Sequence, residues 1–147
     1  KEHSASDLVL SGGYTSKTPF FLMSGGIPVK EMRKAEKSYP QKLALLTFGK
    51  SIIKKYEFEE NFFLPLSLRI RDAVNMPLVY LGGVVSHRGI DEVMQHGFDM
   101  IAIGRALIHD PDFVKNVYDN EEYISPCDHC NICVAEMDIN GIRCVLQ

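Results

Sequence analysis

The sequence predicts an α/β protein built on parallel strands. Two apolar runs carry most of that expectation. Leu78–Leu81 ends on the pair Gly82–Gly83, and Met100–Ile103 ends on Gly104–Arg105. Between them Ile90, Val93 and Met94 fall at helical spacing, with Gly97 placed to end the helix. Strand, helix and strand within about 30 residues make a βαβ unit. Near-continuous apolar strands further predict a sheet buried on both faces.

In chain order, the first element is a short apolar strand within Asp7–Ser11, followed by Gly12–Gly13. Residues 14–32 read as a loop, broken by Pro19, Gly25–Gly26 and Pro28. Its Tyr14, Phe20, Phe21, Leu22 and Met23 suit either a substrate-side wall or plain packing on neighbouring elements. Gln41–Tyr56 reads weakly as helix, because Leu43, Leu46, Ser51 and Ile53 keep no clean stripe and Gly49 interrupts it. Leu66, Ile70, Ala73 and Val74 predict a clearer helix with those residues on one face, stopped by Asn75-Met76-Pro77. Asp110-Pro111 then predicts a capped helix that buries Phe113, Val114 and Val117. Three strands with glycine tips cannot close a barrel, so the chain is expected to form the last part of a larger repeating α/β structure.

Composition narrows the function classes. With 46% apolar and 24% charged residues, the 147-residue chain belongs with soluble globular proteins. A net charge of −3 gives no reason to expect nucleic acid or a membrane surface as partner. No apolar run reaches membrane-spanning length and no secretory signal is legible, so a cytoplasmic location is expected.

The strand tips suggest a site. Glycine lets backbone N–H groups close on an oxyanion, a following helix adds its positive end, and Arg105 adds a bidentate cation. Gly82, Gly83, Gly104 and Arg105 are therefore read as one phosphate cup. The plainer alternative is that the glycines only turn the chain and Arg105 is solvated. A second candidate site is Cys127, Cys130, Cys133 and Cys144, spaced C-x2-C-x2-C-x10-C. That pattern suits a [4Fe–4S] cluster, a four-thiolate zinc site, or small packed core residues. His96, just before Gly97, reads as a helix-end residue rather than a catalyst.

Four stretches together, LVLSGG, MPLVYLGGV, GFDMIAIGRALIHDPDF and PCDHCNIC, resemble the C-terminal part of the Old Yellow Enzyme family. That family comprises FMN-dependent NAD(P)H:flavin oxidoreductases on a (β/α)8 TIM barrel. The resemblance covers nearly the whole chain, about strands six to eight and the tail. It implies two parts: residues 1–124 as the C-terminal part of the FMN-binding barrel, and residues 125–147 as a Cys-rich tail. It places the FMN phosphate on Gly82, Gly83, Gly104 and Arg105, with NADH or NADPH as reductant and an activated alkene or enone as substrate. In the dienoyl-CoA reductase-like branch a [4Fe–4S] cluster stands where the four cysteines fall, although two of the gaps here are each one residue shorter. The family's catalytic histidine pair or His/Asn pair and its tyrosine lie on earlier strands. No histidine of this chain sits in that context, so none is assigned a catalytic role, and Tyr14 is at most a flavin-facing residue. A homo-oligomer is compatible with the resemblance. Two rival readings are a phosphate-binding TIM-barrel aldolase or isomerase, and a non-enzymatic Cys-rich metal-binding module.

Overall fold

A computed structural model of the chain describes residues 6–11, 24–137 and 139–147, with the side chains of residues 50–52 also outside the description. The Gly12–Gly13 tip, Tyr14 and the Phe20–Met23 stretch lie outside the described residues. The architecture is α/β. A parallel three-stranded sheet has the order β1 (Leu8–Leu10), β2 (Leu78–Leu81), β3 (Met100–Ala102). Register pairs Leu10 with Tyr80 and Tyr80 with Ile101. Seven helices accompany the sheet among the described residues: α1 (Val29–Ala35), α2 (Tyr39–Ile52), α3 (Leu64–Arg71), α4 (His87–Gln95), α5 (Arg105–His109), α6 (Phe113–Asp119) and α7 (Ile132–Glu136). None is long and apolar enough to cross a membrane.

The predicted βαβ unit is β2–α4–β3, and local chemistry explains its edges. Ser86 caps α4 by accepting from the Gly89 N–H at 3.0 Å, and Gly97, with φ of 81°, turns the chain out of the helix. Asp99 locks the two strands together: its carboxylate accepts from the Leu78 N–H at 2.8 Å while its own N–H donates to the Leu78 carbonyl at 3.0 Å. The main core joins Leu10, Leu78 and Tyr80 of the sheet to Phe63, Leu64, Val84, Val93 and Phe98. A smaller cluster, Ala106, Phe113 and Val117, seats α5 and α6 through Ile90 and Ile103, which pack against both clusters.

Several expectations need correction. The sheet is not buried on both faces, because Leu78 and Tyr80 are buried while Val9 and Met100 are about half exposed. The helical face predicted for Leu66 and Ile70 points outward. Helix α3 starts two residues earlier, with Pro65 in its first turn, and the buried phase runs through Leu64 and Ser67. In α6 Phe113 and Val117, four residues apart on one face, are buried, but Val114 is turned off that face and exposed. The Asp110 carboxylate holds the preceding turn by accepting from the Asp112 N–H and from Asn116 and Tyr123. The loop expected to reach Met32 ends earlier, in α1. The stretch read weakly as helix is α2, whose start follows the Ser38-Tyr39-Pro40 signal. Leu43, Leu46 and Phe48 stand exposed on it, which accounts for the missing stripe.

Candidate functional site at the strand tips

Gly82, Gly83, Gly104 and Arg105 line one cavity of about 210 Å³ at the C-terminal ends of β2 and β3. The two glycine tips differ in what they require. Gly83 has φ of 86°, and a Cβ there would stand 2.7 Å from the Phe62 ring, so both conformation and space demand glycine. Around Gly104 a Cβ would meet nothing within 4 Å, so that residue leaves its backbone open toward the cavity. The buried Tyr80 hydroxyl donates to the Gly82 carbonyl at 3.0 Å, fixing where β2 ends, and burial pushes its phenol well above the ordinary range.

One part of the expected cup is already taken. The Glu60 carboxylate accepts from the N–H groups of Val85 and Ser86, each at 2.8 Å, and from the Ser86 hydroxyl. A carboxylate thus satisfies the positive start of α4, so that helix end is not open to a phosphate. Asn61, held at φ of 54°, reinforces the clip by donating to the Gly89 carbonyl at 3.0 Å and to Glu92 at 2.8 Å. The cationic contribution therefore rests on Arg105, together with the backbone at Gly83 and Gly104.

Arg105 is held by parts of the chain distant in sequence. Its Nη1 donates to the Ser24 carbonyl at 2.8 Å and to Asn131 Oδ1 at 2.7 Å, and its guanidinium lies 5.6 Å from the centroid of the Phe58 ring. Burial lowers its pKa from the usual arginine value, with the nearby thiols of Cys127, Cys133 and Cys130 acting in the other direction. The His129 ring also stacks on Phe58, at 3.4 Å between centroids and 15° between planes. Burial and the neighbouring Arg105 charge bring that imidazole down to about 4, so it is neutral at pH 7. Phe58, Phe62, His129 and Asn131 all line the same cavity. Ser24, whose carbonyl holds Arg105, also buries a hydroxyl with no hydrogen-bond partner among the described residues.

The cysteines gather where the tail folds back. Cys127, Cys130, Cys133 and Cys144 all border a small cavity of about 20 Å³ that Arg105 and His109 share. The positive φ of Gly141, 85°, belongs to the return of the chain, and Cys144 Sγ reaches 3.2 Å from His109 Nδ1. All four are free thiols, and burial raises Cys133 and lifts Cys130 to about 11. Among the described residues no three His, Cys, Asp or Glu side chains are drawn together closely enough to hold a metal ion. The donor set has the chemistry of a four-thiolate site, and burial favours the protonated thiol at Cys130 and Cys133. His87, on α4, pairs with Asp91 at 3.2 Å, while His96 occupies the C-cap of the same helix.

Comparison with known proteins points to redox enzymes. The chain is 33% identical over 138 residues to a 4,4'-dithiodibutanoate disulfide reductase of Rhodococcus erythropolis, covering 94% of this chain and 34% of that protein. It is 26% identical over 96 residues to an NADH oxidase of Thermoanaerobacter brockii, covering 63% of this chain and 15% of that one. A bilirubin reductase of Mediterraneibacter gnavus is 31% identical over 72 residues, which is 48% of this chain and 11% of that protein. The chain thus spans about a third of the first relative and less of the others. No family model and no solved structure matches it. What the relatives have in common is oxidoreductase chemistry, NADH-dependent where the name says so.

Proposed function

We propose that the chain is the C-terminal part, about strands six to eight, of a (β/α)8 barrel in an FMN-dependent NAD(P)H oxidoreductase of the Old Yellow Enzyme type. In this reading residues 1–124 supply the phosphate side of the flavin site, and residues 125–147 form a Cys-rich appendage. The observation that carries it is the meeting of both glycine tips and Arg105 on one cavity. A phosphate fits that donor set: open backbone at Gly104, a forced left-handed turn at Gly83, and a guanidinium suited to bidentate contact. Aromatic surfaces of Phe58, Phe62 and His129 on the same cavity add an apolar border. Similarity over 94% of the chain to one protein named as a disulfide reductase supports an oxidoreductase reading.

Bound FMN supplies hydride transfer through its N5 position, from a nicotinamide to an activated alkene. The residues described here bind and orient: Gly83 and Gly104 present backbone, Arg105 neutralises phosphate charge, and Phe62 closes over the β2 tip. The thiols Cys127, Cys130, Cys133 and Cys144 would hold a [4Fe–4S] cluster once deprotonated and drawn together. A disulfide acceptor is the second reading, favoured by the similarity to a protein named as a disulfide reductase. The absorption spectrum of the intact protein tests the proposal. Flavin bands are expected; their absence after reconstitution with FMN would favour a phosphosugar enzyme or a metal-binding module instead.

A further inference from the structure

Between the cysteines of the tail stand two residues with left-handed backbone, His129 (φ 56°) and Asn131 (φ 62°). Both line the strand-tip cavity. Asn131 is 1% exposed, and its amide is used at both ends. Nδ2 donates to the Gly26 carbonyl at 2.8 Å, and Oδ1 accepts from Arg105 Nη1 at 2.7 Å. The orientation of that amide follows from the network, because a reversed amide would set its NH2 against the guanidinium. The Gly26 N–H in turn donates to the His129 carbonyl at 2.8 Å, so the segment after Ser24 and the cysteine segment are joined twice.

We propose that Asn131 is the positioning residue for Arg105, so that the cysteine segment sets how tightly the strand tips hold an anionic ligand. This rests on reading the cavity as a phosphate site. A neutral amide suits the task because it fixes a guanidinium without cancelling its charge. A carboxylate at the same 2.7 Å would neutralise the cation it is meant to present. The αL backbone explains why the residue is Asn, which tolerates that conformation and carries a side chain short enough to reach both partners. Any event that moves the loop between Cys127 and Cys133 moves Asn131, and with it Arg105.

The test uses intact protein and the ratio of FMN to riboflavin affinity, which isolates the phosphate contact. Asn131→Gly keeps the backbone relaxed and removes the amide; the ratio should fall by about tenfold, the worth of a hydrogen bond to a charged group. Asn131→Asp, of the same shape, should lower the ratio further, although a purely structural role would make the aspartate the milder change. It also serves if the glycine variant does not fold. In an Arg105→Ala background neither substitution should lower the ratio again. A wild-type ratio in both Asn131 variants, or full additivity with Arg105→Ala, overturns the proposal. An unchanged ratio in Arg105→Ala alone would overturn the phosphate site itself, a separate failure.

Discussion

Arg105 combines a place at the start of α5 with three neighbours that the linear order does not reveal: Ser24, Phe58 and Asn131. Its role as an anion ligand belongs to the proposal; its place after a glycine strand tip was legible, because that is local information. So was the need for glycine at position 83, where φ is positive. Glu60, Asn61, His129 and Asn131 were missed for a common physical reason. Their partners in these bonds are 25 to 105 residues away in the chain, and no spacing rule encodes a contact of that range. The one weak signal was Asn between cysteines, a residue that favours left-handed turns. On the proposed reading Arg105→Ala removes a charge-assisted contact worth about 1.5–3 kcal/mol. FMN affinity in intact protein should then fall by about one to two orders of magnitude in a fluorescence titration. Arg105→Lys should recover part of the loss, since an ammonium lacks the planar fork.

Among the elements, β2, α4 and β3 were readable because each carries its own period and its own stop signal. The phase of α3 was not, since counting from Leu66 ignores Phe63 and Leu64, which lead the chain into the core. Helices of five residues, α5 and α7, are too short to show any period. Helix α4 carries a consequence for stability. Its start depends on one carboxylate, Glu60, that accepts from two backbone N–H groups and a hydroxyl. Glu60→Gln keeps the shape and loses the charge, which weakens the bonds from the Val85 and Ser86 N–H groups. A loss of about 1–3 kcal/mol in urea unfolding is expected. Stability unchanged within error would mean the helix start is capped well enough by Ser86 alone.

At the scale of the whole molecule, the sheet shows what is built and what is left open. Tyr80 and Leu78 sit in a closed core while Val9 and Met100 remain half exposed on the outer strands. The α/β class and the parallel strands followed from the sequence; the barrel is part of the proposal. The tail was legible as a thiol cluster, but not its link to the strand tips through His129 and Asn131. On the proposed reading, intact protein prepared without oxygen should contain about four irons per chain, and Cys144→Ser should lose most of them. Zinc at one per chain would assign the tail a structural role instead. On the proposed reading the tips of β2 and β3, with Arg105, bind the phosphate of a flavin. Calorimetric titration of the intact apoprotein with FMN and with riboflavin tests it most directly, because the two ligands differ only in the phosphate. FMN is expected to bind tighter by at least about tenfold, with the difference shrinking as salt is raised. Equal affinity for both flavins, at low and high salt alike, would contradict it.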